Sequence, residues 1–168
     1  MRIITGCNVD LTLRLRAAAI GREIAADDVE NVTFASATYA RRTSGTDYVK
    51  AVSGVHQVGR RLAAFFETFD VFLSPTLCLP PLELGRLDTM TRDFEAYRNL
   101  IARYIPGTSM FNMSGQPSMS MPLAWSRSGL PLGMMFSARY GDEATLFRLA
   151  SRLEQERPWK DRKPQVCG

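Results

Sequence analysis

One histidine and three cysteines are the first candidates for nucleophilic or acid–base chemistry in this 168-residue chain. His56 lies beside an apolar stripe on an amphipathic segment, which is the setting of a surface or boundary residue. A dyad of Cys78 and His56 would need a loop folded over the middle of a helix and a third group to orient the imidazole. Cys7, Cys78 and Cys167 have no CxxC or zinc-ligand spacing, so we expect free thiols and neither a disulfide framework nor a metal site.

The motifs of common enzyme classes are also missing from the sequence. The segment Gly107–Phe111 begins like a GxSxG nucleophile elbow but lacks its last glycine, and its flanks are not a strand and a helix. No GxGxxG, Walker loop, HExxH or calcium-loop spacing is present, which argues against the usual dinucleotide, phosphate and metal chemistries. The residues alone therefore identify no active site, and we expect no cofactor.

Charge and hydropathy indicate a soluble chain. Its 21 basic and 17 acidic side chains give a net charge of +4, and the arginines are interspersed with carboxylates, as on a solvated surface. A nucleic-acid-binding helical domain is a rival that rests on this basic balance alone. No run reaches the ~18 apolar residues of a membrane span, and the first residues lack a signal-peptide core. We expect a cytoplasmic protein that binds neither membrane nor nucleic acid.

Residues 11–70 are predicted to be helical. A first helix ends at Gly21, a second opens at Asp27–Asp28 and runs to about Arg42, and Thr46 is expected to cap a long third helix. That third helix carries one apolar stripe, because apolar or small residues recur at spacings of three and four: Tyr48, Val52, Val55, Gly59, Leu62, Phe66 and Phe69.

A short strand and a further helix are predicted next. The run Val71–Ser74 is apolar and β-prone and stops at Pro75, which indicates a buried strand that leads into a loop; strand and loop together occupy 71–90. Thr91 is expected to cap a helix over 91–103, and Pro106–Gly107 a turn.

The last part of the chain reads as a hairpin over 117–138 and a terminal helix over 142–156. Ser118–Trp125 alternates apolar and polar residues, with Pro122 at an irregular or edge position, while Leu130–Ala138 is apolar enough to be buried on both faces. Asp142 is placed to cap the terminal helix. Three strands are too few to cover so many amphipathic helices, so we expect one segment, 1–168, whose sheet lacks strands. A helical domain with a small sheet is the alternative.

Several of these segments resemble blocks of the amidase-signature family. Asp70–Thr76 resembles its D-V-L-L-T-P-T strand, and Phe111–Leu123 its F-N-x-x-G-x-P-A-I-S-x-P. Gly129–Met135 is similar to G-L-P-x-G-x-Q, Gly141–Leu146 contains D-E-A-T-L, and Glu154–Pro158 resembles the E-x-x-x-P-W ending. The order and spacing of the blocks are those of the C-terminal part of such enzymes. The resemblance implies an α/β fold in which helices flank a mixed β-sheet.

The resemblance also implies a mechanism whose catalytic residues are not in this chain. The family hydrolyses amides with a Ser–cis-Ser–Lys triad and a Gly/Ser-rich oxyanion loop. This sequence has neither that loop nor two adjacent serines, and its three lysines, Lys50, Lys160 and Lys163, lie in a helix and in the tail. The implied chain is a fragment of a larger amidase, natural or made in the laboratory, or a degenerate chain. By itself it should be catalytically silent.

In the family this portion supplies scaffold and one wall of the substrate pocket. The amidotransferase branch has an acidic residue where this chain has Tyr104–Gly107, so the implied substrate is a more apolar small amide, cleaved at a carboxamide or linear amide bond. The implied pocket residues are Thr76, Cys78, Ile105, Thr108 and Phe111. The implied partner is the missing N-terminal portion, and a homodimer is left open. The rival reading is a non-catalytic interaction module that retains the amidase C-terminal fold.

Overall fold

A computed structural model describes residues 1–163, so Cys167 lies outside the described residues. The chain divides into two compact units. The first contains residues 1–57 and 79–106, and the second contains residues 58–78 and those from Gly107 onward. Among residues 1–163, no helix is long and apolar enough to cross a lipid bilayer.

Helix α1 (Arg2–Ile20) begins nine residues before the predicted position and ends, as predicted, at Gly21, whose φ of 72° is left-handed. Gly6 lies in this early part of the helix, where α1 passes close to helix α2 (Asn31–Ala40). A Cβ at Gly6 would lie 3.1 Å from the Ser36 carbonyl oxygen and 3.2 Å from Ala40 Cβ. Gly6 is therefore a packing residue inside the helix.

Asp27–Asp28 does not open α2, which is a correction to the predicted boundary. The carboxylate of Asp28 accepts hydrogen bonds of 2.6 and 2.8 Å from Arg22 and one of 2.8 Å from the Ala25 N–H. The hydrogen bonds from Arg22, followed by that from the Ala25 N–H, lower the pKa of Asp28 to about 2. Asp28 thus fixes the turn between α1 and α2, and α2 begins three residues later.

An ion-pair cluster joins α1 to the end of α2. Asp10 is buried, and its two oxygens accept hydrogen bonds from Arg14 Nε at 2.7 Å and Arg41 Nε at 2.8 Å. Burying a carboxylate is unfavourable unless it is paired and hydrogen-bonded, and both oxygens of Asp10 meet this condition. The apolar residues buried in the same unit are Leu13, Ala37 and Ala40.

Helix α3 (Gly45–Phe65) is capped by Ser44, not by Thr46 as predicted. Ser44 Oγ accepts from the Asp47 N–H at 3.1 Å, and the Asp47 carboxylate accepts from the Ser44 N–H at 3.1 Å. This is the reciprocal arrangement of a capping box. The predicted stripe is buried at its end, at Leu62 and Phe66, whereas Tyr48 and Phe69 are exposed.

Helix α4 (Phe94–Tyr104) also begins later than predicted. Asp93 caps it by accepting from the Ala96 N–H at 2.9 Å, while the predicted cap, Thr91, accepts from the Asp93 N–H and so shapes the preceding turn. The loop before α4 is held against the start of α2, because Thr89 Oγ1 donates to Glu30 Oε1 at 2.9 Å.

Three strands form the sheet of the second unit in the order β1-β3-β2, with both pairings antiparallel: β1 (Phe72–Pro75), β2 (Ser118–Trp125) and β3 (Pro131–Ser137). The predicted hairpin is confirmed, and its register shifts between Pro122 and Ala124, where irregularity was expected. The prediction of a buried first strand is wrong. β1 is an edge strand in which Leu73 is 55% exposed.

The two faces of the sheet carry separate apolar clusters. On one face, helix α6 (Glu143–Glu156) packs Leu146 against Met121 and Phe136. Asp142 caps α6 as predicted, since its carboxylate accepts from the N–H and the hydroxyl of Thr145.

On the other face, Met135 packs against Leu62 and Phe66 and against helix α5 (Thr108–Ser114). Helix α5 was not predicted from the sequence. Gly115 is the left-handed residue that ends this helix, with φ 79°. Helices around a small sheet agree with the predicted α/β class.

Candidate functional site

Thr76 is fixed where β1 ends. Its N–H donates to the Gly133 carbonyl at 2.9 Å, and its Oγ1 lies 2.6 Å from Ser120 Oγ. A Cβ on Gly133 would lie 2.8 Å from Ser120 Oγ and 2.9 Å from Thr76 Oγ1, so only glycine leaves room for the two hydroxyls. Gly133 thus leaves space for two side-chain hydroxyls.

Thr108 is the first residue of α5. The residue before it, Gly107, lies where the start of this helix packs against the sheet. A Cβ on Gly107 would lie 3.8 Å from Ser74 Oγ and 3.9 Å from Met135 Cε. Ser74 Oγ is buried and has no hydrogen-bond partner among the described residues. Sequence reasoning missed Ser74, since a serine inside a short apolar strand gives no signal of its own. Thr108 thus follows Gly107, which lies near Ser74 on the β1 side of the sheet.

Phe111 lies in the core. It is 3% exposed, packs against Leu62, Phe66 and Met135, and its ring centroid is 5.5 Å from that of Phe72. Its side chain packs α5 against the core and does not line an open surface. Phe111 therefore belongs to the packing that positions Thr108.

The remaining candidates lie elsewhere. Cys78 is an exposed free thiol in the loop two residues after Thr76. Ile105 is the C-cap residue of α4, where its N–H donates to the Ile101 carbonyl at 3.0 Å, and it belongs to the first unit. His56 is exposed on α3, in agreement with its interpretation as a surface residue. The second unit thus contains Thr76, Cys78, Thr108 and Phe111.

The chemistry available at Thr76 is binding. Its hydroxyl is paired with another neutral hydroxyl, and either oxygen can donate. Such a pair can offer a donor or an acceptor to an amide, but a hydroxyl nucleophile needs an adjacent base to remove its proton. Among residues 1–163, no three or more His, Cys, Asp or Glu side chains lie together as a metal site. The arrangement suits orientation of a ligand.

A concavity of about 580 Å³ lies in the first unit, and its lining includes Arg14, Arg22 and Arg41. Each of these guanidinium groups already has a carboxylate partner: Asp10 for Arg14 and Arg41, and Asp28 for Arg22. Three guanidinium groups share these two carboxylates, and Glu23, which also lines the concavity, adds a third negative charge. The surface therefore gives no support to an anion or nucleic-acid site.

Comparison with known proteins gives one consistent answer. Residues 11–147 match the family model described as Amidase. The putative amidase AmiC of Mycobacterium leprae (strain TN) is 41% identical over 110 residues, which are 66% of this chain and 23% of AmiC. The 6-aminohexanoate-cyclic-dimer hydrolase of Pseudomonas sp. (strain NK87) is 29% identical over 173 residues, covering 98% of this chain and 35% of that protein.

The fold is also that of a solved enzyme. A structure of 6-aminohexanoate cyclic dimer hydrolase superimposes on 97% of this chain with a TM-score of 0.83 and 25% sequence identity, and this chain covers 35% of it. The chain thus spans between about a quarter and about a third of the relatives that it matches.

Proposed function

Because this chain belongs to the amidase family, we propose that it forms the C-terminal scaffold and one wall of the substrate pocket of an enzyme that hydrolyses carboxamide or linear amide C–N bonds. The observation that carries the proposal is the superposition of 97% of the chain on only 35% of an amidase fold. The chain is thus equivalent to one part of such an enzyme, and its sequence contains no adjacent serines for a Ser–Ser–Lys triad.

In this proposal the reacting groups come from outside the 168 residues, and the chain contributes position and shape. Thr76 presents a hydroxyl held by Ser120, and Cys78 and Thr108 border the same region of the second unit. Phe111 holds α5 in place from the core. Ile105, at the end of α4, belongs to the first unit, and its role stays a prediction from the family resemblance. Side-chain hydroxyls that can donate or accept suit a small amide that is oriented by one or two hydrogen bonds.

The name of the Pseudomonas relative adds a specific rival substrate. That protein is described as a hydrolase of a cyclic dimer of 6-aminohexanoate, whose bonds are cyclic amides. A substrate panel should therefore contain unsubstituted carboxamides, linear N-substituted amides and cyclic amides. Higher kcat/KM on cyclic amides would replace the linear amide in this proposal and leave the role of the chain unchanged.

The test is complementation. The chain is mixed with the part of AmiC that precedes its match to this sequence, and hydrolysis is measured across the panel. We expect activity that requires both pieces. Cys78→Phe should raise KM by about tenfold or more, because an aromatic ring at the proposed pocket wall would crowd the substrate. A tenfold increase corresponds to a loss of ~1.4 kcal/mol of binding free energy. Leu84→Phe is the matched control, since Leu84 is fully exposed in the loop that follows.

The rival function is a non-catalytic interaction module, and the same experiment separates the two. A complex that forms without hydrolysis, or hydrolysis that is unchanged when the chain is omitted, favours the module. Activity that depends on the chain but responds equally to Cys78→Phe and Leu84→Phe contradicts the proposed pocket wall.

A further inference from the structure

A concavity of about 420 Å³ lies in the first unit, where the first residues of α1 meet α2 and the start of α4. Its lining is mostly apolar and contains three aromatic rings, those of Phe34, Tyr39 and Phe94. The charged residues of the lining are Arg2 and Arg42, and among residues 1–163 no carboxylate belongs to it. A volume of this size can hold a small organic ligand.

The guanidinium group of Arg2 is held over two of these rings. Its Cζ lies 3.7 Å from the centroid of the Tyr39 ring and 5.5 Å from that of the Phe94 ring. Arg2 Nη2 lies 2.8 Å from Glu95 Oε1, and Arg2 Nε is buried without a hydrogen-bond partner among the described residues. Arg2 is therefore a partly desolvated cation, and loss of water strengthens its attraction for a further anion.

The positive charge beside the concavity is incompletely paired. Arg98 Cζ lies 5.9 Å from the centroid of the Phe94 ring, so two guanidinium groups share this ring. Within residues 1–163, Glu95 is their only ion-pair partner, and its side chain is 62% exposed, so water screens the pair. Arg42 is exposed and forms no ion pair in this part of the chain. An excess of positive charge thus borders an apolar surface.

Other carboxylates near this region in the sequence are used by their own segments. Asp93 caps α4 by accepting from the Ala96 N–H at 2.9 Å, and Glu30 accepts from Thr89 Oγ1 at 2.9 Å. Neither carboxylate belongs to the lining of the concavity. The arginines of the lining therefore remain available to an external anion.

The concavity lies at the opposite end of α4 from Ile105, the pocket candidate of the first unit. Phe94 is the first residue of α4, and Ile105 follows its last residue. A rise of about 1.5 Å per residue places the two roughly 16 Å apart along the helix. A ligand bound at Phe94 therefore occupies a different place from one that contacts Ile105.

We propose that this concavity binds a small monocarboxylate with an aromatic body. A guanidinium group matches a carboxylate through two parallel hydrogen bonds, so Arg42 and Arg2 hold the acid. The aromatic rings of the lining pack against the body of the ligand in stacked or edge-on contacts. A phosphate ester is a poorer occupant, because its double charge would be placed against a mostly apolar lining. The proposal goes beyond the proposed function, since binding at this site involves no reaction.

The test is calorimetric titration of the full 168-residue chain with phenylacetate at low ionic strength. Phenylacetamide is the matched neutral ligand, because it has the same ring and nearly the same shape. We expect phenylacetate to bind at least about tenfold more tightly, since hydrogen bonds to a charged partner are stronger than neutral ones. Equal affinity for the two ligands, or no measurable binding of phenylacetate, would overturn the proposal.

A charge variant assigns the binding to this concavity. Arg42→Gln should weaken phenylacetate binding by about fivefold or more and leave phenylacetamide binding nearly unchanged, because it removes an exposed cation of the lining. Arg16→Gln is the matched control, since Arg16 is exposed on α1 outside the lining. Equal weakening by both variants would show a general effect of net charge and contradict the site.

A steric variant tests the space itself. Ala35 belongs to the lining, so Ala35→Phe should fill the concavity and abolish binding of both ligands. Ala18→Phe is the control, because Ala18 is exposed on α1 outside this lining. Circular dichroism verifies that the helices of each variant are intact, and Arg42→Gln decides the assignment alone if Ala35→Phe loses helix content. Unchanged phenylacetate binding by a folded Ala35→Phe variant would refute the proposal.

Discussion

Thr76 and Ser120 place their hydroxyl oxygens 2.6 Å apart across Gly133, so the residue that follows β1 reaches over β3 to a side chain of β2. Strands β1 and β2 are not neighbours, and their side chains meet only because β3 has no Cβ at this position. A side-chain hydrogen bond of this kind ties the loop after β1 to the β2–β3 hairpin. It also fixes the orientation of Thr76, a proposed pocket residue.

Replacing Gly133 with alanine should break this arrangement. The new Cβ would lie 2.8 Å from Ser120 Oγ and 2.9 Å from Thr76 Oγ1, closer than van der Waals contact permits. We expect Gly133→Ala to lower the free energy of unfolding by ~1–3 kcal/mol, the usual cost of overpacking. Urea denaturation followed by circular dichroism measures this change.

Gly59→Ala is the matched control for that substitution. Gly59 lies in α3, and a Cβ there meets nothing within 4 Å. Alanine in a helix interior should therefore stabilise the chain by ~0.5–1 kcal/mol. Destabilisation by Gly59→Ala as large as that by Gly133→Ala would show that steric crowding beside Thr76 is not the cause.

The Asp10 cluster predicts a specific dependence on pH. Burial raises the pKa of Asp10, but the hydrogen bonds from Arg41 and Arg14 outweigh it, so the net pKa lies below the usual value. A carboxylate with a lowered folded-state pKa stabilises the fold above the unfolded-state pKa of ~3.9, and this stabilisation is lost as the pH falls through the folded-state value. Asp10→Asn should therefore cost ~1–3 kcal/mol at pH 7 and progressively less below about pH 4.

Urea denaturation at pH 7 and pH 3 measures that dependence, with the exposed Asp27→Asn as control. A gap between Asp10→Asn and the unsubstituted chain that is the same at both pH values would contradict the assignment of the Arg14 and Arg41 contacts as charge-assisted.

The cap of α3 is Ser44 and not Thr46, and the two residues should therefore respond differently to substitution by alanine. Ser44→Ala removes the hydroxyl that accepts from the Asp47 N–H and should destabilise the chain by ~1 kcal/mol. Thr46→Ala should have an effect within ~0.5 kcal/mol, because Thr46 lies inside the helix and is exposed. Thermal unfolding of both variants makes the comparison. The opposite order would restore Thr46 as the cap.

The hairpin and the terminal helix could be predicted from sequence because their signals are local. The alternation along Ser118–Trp125, the turn at Gly129 and the cap at Asp142 all depend on residues within one element. The boundaries of α2 and α4 were predicted wrongly, because a local signal does not show which of two nearby turns a capping side chain belongs to. Asp28 and Thr91 have side chains that suit a helix cap, but each is used in a preceding turn, and only the three-dimensional hydrogen bonds show that choice.

The side-chain contacts of the candidate site could not be predicted, because they join residues that are far apart in the sequence. Nothing in the sequence indicates that Thr76 meets Ser120, 44 positions away, or that Ser74 approaches Gly107. Helix α5 was missed because seven residues, most of them weak helix formers, give a weak local signal, and burial of Phe111 supplies the stabilisation. Similarity to family motifs pointed to the segments that contain Thr76 and Phe111. Only the side-chain contacts show that Thr76 is hydrogen-bonded through its hydroxyl, whereas Phe111 is buried in the core.

The most direct test of the central claim is the rate of amide hydrolysis by the purified 168-residue chain alone, measured on carboxamides, linear amides and cyclic amides. Because the reacting groups are proposed to lie outside this chain, we expect a rate equal to that of the buffer. Hydrolysis above that background, retained through purification and abolished by Cys78→Ala or His56→Ala, would place the reacting groups within the chain and contradict the proposed function.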